Sequence, residues 1–371
     1  PLSTPAAMFQ AAEEQDRVKE LDLLCQAQAV VQAKDVLLQS GHALFVNVEP
    51  SVLVEAALGR DPEAAEQISS LLANVTSACP VVLEVSDRHE YASRAELLAV
   101  TIWVRSKGFR VALDDVDVQS LSLSMLPLIE PDVIKLARSV LSASPNADLG
   151  LLLSAVRAQS ERTGAAVVCQ GIESDEDHQL ALSYGATHAQ GFAIGHPEEL
   201  SDAPIRIRSL EPVAASWGEP CSSPFELVAN SSQLRTGSED LILALTLDLE
   251  RQAERHADAC ILSSFERNVT APSEIGGRYE DLSQVVDFAV ALGDDLGARN
   301  GVFHGEVDPS EALSAERAIV VLTPQFSAAL LARLAGGNDR DRQYAFALIY
   351  DRGQVTRAAR MLMSYIDIET D

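Results

Sequence analysis

The sequence is short of basic residues, and this shortage limits the partners that the protein can bind. Lysine and arginine number 28 against 55 aspartate and glutamate residues, so the formal net charge is -27 at pH 7. A field of this sign repels nucleic acid backbones and anionic membrane surfaces. We therefore expect no direct nucleic acid binding and no membrane docking. A small phosphate ligand held by metal ions or a few local cations is still compatible with this charge.

Long hydrophobic runs and paired cysteines are also missing. No stretch of about 18 apolar residues is free of charges, so no transmembrane helix is predicted. The start lacks a basic region followed by an apolar one, so no signal peptide is predicted either. The five cysteines are scattered without a CxxC motif, which excludes a thiolate zinc cluster and is typical of a reducing compartment. We expect a cytoplasmic protein.

The first half of the sequence has the pattern of an α/β fold. Six short apolar runs predict strands at 43–47, 81–85, 110–114, 133–136, 166–170 and 188–192. Helical patterns lie between most of them, at 62–72, 96–106, 151–162 and 176–184. Continuously apolar strands that alternate with helices indicate a parallel sheet covered on both faces. Since a closed barrel usually has about eight strands, the pattern predicts either an open sheet or a barrel with two strands upstream of Pro1.

The second half predicts a separate domain, as expected from 371 residues at roughly 150 per domain. After Gly195-His196-Pro197 the sequence becomes rich in proline and serine as far as residue 237, which is typical of a linker. Strands are predicted at 259–264, 301–306, 318–322 and 344–350, and helices at 239–254, 279–293, 325–334 and 355–365. We place a barrel domain at 1–198, a linker at 199–224 and a mixed α/β or α+β domain at 225–371.

Polar side chains follow the predicted strands of the first half at or near their carboxyl ends. They are Asn47, Glu84, Asp114, Asp115, Lys135, Gln170, Glu173 and Gln190. In a barrel these ends meet at one mouth. Carboxylate and amide oxygens suit Mg²⁺ or Mn²⁺, and two such ions can clamp a phosphodiester for hydrolysis. A single acid at a strand end is more often a helix cap, but adjacent carboxylates repel unless cations or donors lie between them.

Six motifs of the first half resemble the EAL domains, which are cyclic di-GMP phosphodiesterases. They cover residues 1 to about 198 in the order Phe45-Val-Asn47-Val-Glu-Pro50, Leu83-Glu84-Val-Ser-Asp87, Ala112-Leu-Asp114-Asp115, Asp132-Val-Ile-Lys135-Leu, Gln170-Gly-Ile-Glu173 and Gln190-Gly-Phe192. The resemblance implies a TIM-like (β/α) barrel and metal-dependent hydrolysis of cyclic di-GMP to linear pGpG. It places the Glu-Ala-Leu motif upstream of Pro1.

The same resemblance implies a role for each site residue. Asn47, Glu84 and Asp114 would be ligands of Mg²⁺ or Mn²⁺, Asp115 would bind the second ion, and Asp87 stands where the family usually has glutamate. Lys135 would lie near the attacking water, Glu173 would support the site, and Gln190 would lie close to the metal-bound water and the substrate.

Three departures from the family pattern leave the activity open. Gln170 replaces the first glutamate of the family's Glu-Gly-Val-Glu stretch, and an amide accepts no proton at neutral pH. The loop after Asp114 reads Asp115-Val-Asp-Val-Gln119 instead of Asp-Phe-Gly-Thr-Gly, and Ala137 replaces an aspartate. The chain could bind cyclic di-GMP with weak or no hydrolysis, could be a working phosphodiesterase, or could be an interaction protein that keeps the barrel for its shape.

The second half resembles the DICT domain, a small sensory module found beside cyclic di-GMP enzymes. The resemblance rests on Ser223-Pro-Phe-Glu-Leu-Val228, Ser264-Phe265, Arg278-Tyr279, Val320-Val-Leu-Thr-Pro-Gln325-Phe and Tyr350-Asp-Arg352, and covers about 225–366. It implies regulation of the barrel by a ligand or partner that the sequence does not identify. We also expect a homodimer.

Overall fold

In the computed structural model the chain divides into two units. The first comprises residues 1–120 and 129–214, and the second comprises residues 121–128 and 215–371. The structure describes residues 5–36, 43–76, 79–86, 94–118, 123, 125–197, 221–267, 269, 271–297, 299–336 and 342–366. Most of the predicted linker lies outside these ranges. No helix in the described ranges is long and apolar enough to cross a bilayer.

The first unit contains a six-stranded parallel sheet, in which spatial order follows chain order. Its strands are β1 (Leu44–Asn47), β2 (Val81–Ser86), β3 (Arg110–Val116), β4 (Val133–Leu136), β5 (Ala166–Gln170) and β6 (His188–Gln190). Sequential parallel strands joined by helices are the arrangement of a TIM-type barrel. The predicted α/β class and all six predicted strands are confirmed.

Helices connect these strands and also precede the first one. They are α1 (Pro5–Glu13), α2 (Val18–Val36), α3 (Pro50–Ala57), α4 (Pro62–Thr76), α5 (Arg94–Ser106), α6 (Leu126–Ile129), α7 (Arg138–Leu141), α8 (Ala147–Thr163) and α9 (Asp175–Ser183). Gly164 caps α8 in the left-handed conformation at φ 77°, where a side chain would be strained. The sequence pattern therefore located this helix end correctly.

The second unit is built on a mixed seven-stranded sheet. Its strands are β7 (Arg235–Ser238), β8 (Cys260–Ser264), β9 (Phe288–Leu292), β10 (Val302–Phe303), β11 (Glu316–Leu322), β12 (Ser327–Gly336) and β13 (Gln343–Ile349), and they lie in the order β10-β9-β8-β11-β12-β13-β7. Its helices are α10 (Glu239–Glu254), α11 (Pro272–Ser283) and α12 (Arg352–Met363). This unit has a hydrophobic core of its own, which includes Ile242, Tyr279, Ile319 and Tyr344.

Two helices predicted for the second half are wrong. The segment predicted as a helix over 325–334 forms most of β12, because its apolar run is buried on both faces of the sheet and such runs carry no helical period. The helix predicted over 279–293 ends at Ser283, and Phe288–Leu292 forms β9 with all five residues buried. Short apolar runs do not distinguish a buried strand from a buried helix.

Asp22 gives the first unit a testable pH dependence. This residue of α2 is 3% exposed and accepts a hydrogen bond from Gln26 at 2.7 Å, and burial raises the pKa of its carboxyl to about 6. The native state therefore holds the proton more tightly than the unfolded chain, so this contribution to stability is complete below the ordinary pKa of 3.8 and is lost as pH rises through 6.

We expect Asp22→Asn to remove this dependence. As the pH rises from about 5 to about 7.5, the parent should lose about 1.4 kcal/mol of unfolding free energy that the variant does not lose. Denaturant unfolding, monitored by hydrogen exchange of the α2 amides, measures this difference in unfolding free energy. Glu20→Gln on the same helix, which removes an exposed carboxylate, is the control and should lose as much as the parent. A constant difference across this pH range would contradict the assignment.

Candidate functional site

Strand alternation places five of the predicted site residues on one face of the parallel sheet. The inner core of the first unit is built from residues of β2 to β5, with Phe45 and Val168 packed against them. Side chains two positions apart on a strand point to the same face. Two positions after a core residue, each of the first five strands has a polar one: Asn47 after Phe45, Glu84 after Val82, Asp114 after Ala112, Lys135 after Val133 and Gln170 after Val168. The site is therefore a continuation of the core toward the carboxyl ends of the strands.

A lysine ammonium joins two of the carboxylates. Lys135 Nζ lies 2.6 Å from Glu84 Oε1 and 3.0 Å from Asp114 Oδ1. Lys135 is 3% exposed, and a buried charge is tolerated only when it is paired. With all three groups ionised, this cluster carries one net negative charge.

One carboxylate oxygen of Asp114 receives three donors. Asp114 Oδ1 lies 3.0 Å from Lys135 Nζ, from Gln170 Nε2 and from the backbone nitrogen of Asp115. Asp115 itself has a left-handed backbone at φ 57°, a conformation that aspartate adopts more readily than most residues. The lone pairs of this oxygen are thus already engaged by protein donors.

The amide of Gln170 is oriented by Asp114. Only its nitrogen can donate to the carboxylate, so Nε2 faces Asp114 Oδ1 and Oε1 points away. Oε1 is buried and has no hydrogen-bond partner among the described residues. Such a carbonyl oxygen is satisfied by a water or a cation.

The pKa of the Glu84 carboxyl is raised above its ordinary value. Burial raises the pKa of its carboxyl, the charge and hydrogen bond of Lys135 lower it in part, and the neighbouring Asp114 carboxylate raises it again. A carboxyl held in this balance responds strongly to any change of charge beside it.

The side chains of the site offer the type of ligand atom that a hard divalent cation prefers. Glu84, Asp114, Asn47 and the unpartnered Gln170 Oε1 all offer oxygen ligands, which Mg²⁺ and Mn²⁺ prefer. Within the described ranges, no three Asp, Glu, His or Cys side chains lie together in a way that could hold a metal ion. Lys135 and the Gln170 amide instead supply the positive charge and the donors that the carboxylates need.

The other predicted site residues are placed less centrally. Asn47 pairs with Glu84 in the register of β1 and β2, and Gln190 pairs with Gln170 in the register of β5 and β6. Glu173 forms a bidentate ion pair with the guanidinium of Arg138, in which Arg138 Nη2 lies 2.6 Å from Glu173 Oε2. Asp87 lies outside the described residues.

Sequence reasoning missed Arg138. Its hydrogen bonds lower the pKa of the exposed Glu173 carboxyl, so this carboxyl is held ionised. Gly171 makes room for the pair, since a Cβ there would lie 2.6 Å from Cγ of Arg138. The available signal was the position of Arg138 just beyond β4, three residues after Lys135.

Comparison with known proteins agrees with the motifs. The model of the EAL domain family matches residues 2–197. The chain is 24% identical over 217 residues to the probable cyclic di-GMP phosphodiesterase PdeD of Escherichia coli. The aligned region covers 57% of this chain and 38% of that protein. It is 29% identical over 156 residues to the cyclic di-GMP phosphodiesterase RocR of Pseudomonas aeruginosa. This aligned region covers 42% of this chain and 38% of that protein. The chain thus spans well under half the length of these curated relatives.

Among solved structures, the chain is similar to a manganese and cyclic di-GMP complex of Klebsiella pneumoniae BlrP1. The sequence identity is 27% and the TM-score is 0.42, with 51% of this chain and 47% of that chain covered. Six motifs in order on successive parallel strands, and a family match across more than half of the 371 residues, lead to one conclusion: the chain belongs to the EAL domain family.

Proposed function

We propose that the first unit binds cyclic di-GMP with the help of a divalent cation and hydrolyses it weakly or not at all. Membership of the EAL family and the activities for which its relatives are named support cyclic di-GMP as the ligand. The retained carboxylates at the strand ends support a cation site. They also argue against a barrel kept only for its shape, because a scaffold has no physical reason to gather acids on one face.

The contact between Gln170 and Asp114 is the observation that supports weak hydrolysis. The Gln170 amide donates to Asp114 Oδ1 at 3.0 Å, at the position where the family usually has a glutamate. The amide supplies no negative charge and accepts no proton at neutral pH. The site therefore binds its cation with less charge and lacks one proton acceptor for the reaction.

In this proposal Asn47, Glu84, Asp114, Asp115 and Asp87 would hold Mg²⁺ or Mn²⁺. The bound ions would supply Lewis acidity and an activated water at the phosphodiester. Lys135, already held between Glu84 and Asp114, would orient that water or neutralise developing charge. Glu173 would support the site through its pair with Arg138, and Gln190 would contact the substrate beside Gln170.

Calorimetry of the full-length protein with cyclic di-GMP tests the binding. We expect saturable binding with Mn²⁺ present and weaker binding with a chelator. Cyclic di-AMP, a control of equal charge, should bind much less. Absence of saturable binding under both conditions would overturn the proposal, and rapid release of pGpG would favour the alternative of an active phosphodiesterase.

We further propose that the second unit is a DICT-like sensory module that regulates the first. Residues 121–128, which follow Asp114 and Asp115 in the chain and precede Lys135, belong to this second unit. Arg360 of α12 donates to the carbonyl of Pro127 at 2.8 Å and to that of Leu128 at 3.1 Å. A change in the second unit could therefore reach β3 and β4 along the chain.

Arg360→Met tests this coupling. Loss of the bonds to Pro127 and Leu128 should change the affinity for cyclic di-GMP by about fivefold or more, in the usual range of coupling energies. Arg251→Met, which removes an exposed arginine of α10, is the control. Equal affinities of the parent and both variants would contradict a regulatory role for this contact.

A further inference from the structure

The second unit contains a cavity that the cyclic di-GMP chemistry does not use. Its volume is about 300 Å³, and its lining comes from α10, α11 and the segments around β8 and β11. This volume is at the lower end of the range for small-molecule sites. The cavity is therefore large enough for a small organic ligand.

The lining of the cavity has buried apolar side chains and, at its rim, exposed carboxylates. Phe265 and Ile275 are 4% and 6% exposed and line the interior. Asp240, in the first turn of α10, and Glu274, in the first turn of α11, also line the cavity and are exposed. A ligand that entered would bury an apolar part and leave a polar end beside two carboxylates.

The two arginines of the lining do not offset these carboxylates. Arg317 is held by Glu266 through two hydrogen bonds of 2.9 and 2.6 Å, and Arg278 is held by Glu250 through two of 3.1 and 3.2 Å. No hydrogen bond or ion pair within the described part of the chain engages the carboxylates of Asp240 and Glu274. The uncompensated charge at the rim is therefore negative.

A buried hydroxyl also lacks a partner at this cavity. Thr246 of α10 lines it and is 1% exposed, and its Oγ1 has no hydrogen-bond partner among the described residues. Buried hydroxyls are normally satisfied, because an unsatisfied one costs stability. A bound water or a bound ligand would supply the hydrogen-bond partner that Thr246 Oγ1 lacks.

From these observations we propose that the cavity binds a small amphipathic amine, with its apolar part against Phe265 and Ile275 and its protonated amine between Asp240 and Glu274. Such binding would not depend on cyclic di-GMP in the first unit, so the two proposals can fail separately. It would give the second unit a ligand class of its own.

Three probes with the same phenyl group test the charge preference on the whole chain. They are 2-phenylethylamine, 2-phenylethanol and phenylacetate, titrated by ligand-observed NMR. We expect the amine to bind about tenfold or more tightly than phenylacetate, since hydrogen bonds to charged groups are the stronger ones, and the alcohol to lie between them. No saturable binding of the amine, or tightest binding of phenylacetate, would overturn the proposal.

Paired variants separate this site from general attraction of cations to an acidic protein. The double variant Asp240→Asn/Glu274→Gln should lower the affinity for the amine about tenfold and leave that for the alcohol unchanged. Asp248→Asn/Asp281→Asn makes the same charge change at exposed positions of α10 and α11 outside the lining and should have little effect. Equal losses in both double variants would show that only the net charge matters and would refute the site.

Discussion

Replacing Gln170 with glutamate is expected to raise the rate of cyclic di-GMP hydrolysis by a factor of about 10² to 10⁴ with Mn²⁺ or Mg²⁺. The new carboxylate would lie where Gln170 Nε2 now lies 3.0 Å from Asp114 Oδ1. Two carboxylates at this distance repel unless a proton or a cation lies between them. The substitution therefore strengthens the demand for a cation and restores a proton acceptor.

Metal affinity provides a readout of Gln170→Glu that does not depend on turnover. Titration of the nucleotide-free protein with Mn²⁺ should show tighter binding in the variant. Gln67→Glu makes the same chemical change on an exposed face of α4, where Gln67 donates to Glu63, and should alter neither metal affinity nor rate. If Gln170→Glu left both properties at the parent's values, position 170 would not limit this site.

Glu266→Gln is expected to destabilise the second unit by about 3–5 kcal/mol, as when one partner of a buried ion pair is removed. Glu266 and Arg317 are each 4% exposed, and Tyr344 donates to Glu266 Oε1 at 2.6 Å. Burial works to raise the pKa of Glu266, but the hydrogen bond and charge of Arg317, together with the Tyr344 hydroxyl, outweigh it and lower the pKa. The amide would leave the guanidinium of Arg317 buried without a counter-charge.

Two further variants define this effect. Asp294→Asn removes the partner of Arg267 from an exposed pair and should cost less than about 1 kcal/mol. The double variant Glu266→Gln/Arg317→Met removes both buried charges and should recover part of the loss, because the cost arises from the unpaired charge. Hydrogen exchange of β8 and β11 measures all three. A double variant that is no more stable than Glu266→Gln would contradict this explanation.

Much of the first unit could be predicted because its strands are bounded by polar residues and glycines. Apolar runs ending in Asn47, Glu84, Asp114 and Gln170 gave both the strands and the side chains that share one face. The contacts among those side chains could not be predicted, since Lys135 meets Glu84 from 51 residues away in the chain. The second unit was harder because β9 and β12 are apolar throughout and show no period.

The left-handed backbone of Asp115 is a second feature that the sequence does not reveal. The register of β3 against β4 shifts between Leu113 and Val116, and this irregularity lets the Asp115 amide donate to its own neighbour, Asp114. Repulsion between adjacent carboxylates was foreseen, but not that a backbone N–H and the Gln170 amide would help to relieve it. Such bulges depend on pairing with the neighbouring strand rather than on local sequence.

The most direct test of the account is to follow bound cyclic di-GMP in a single-turnover reaction of the full-length protein with saturating Mn²⁺. Binding by calorimetry and conversion to pGpG by chromatography are measured on the same sample. We expect the dinucleotide to bind saturably and to stay largely intact, and Gln170→Glu to convert it much faster. Rapid and complete conversion by the unmodified protein would contradict it.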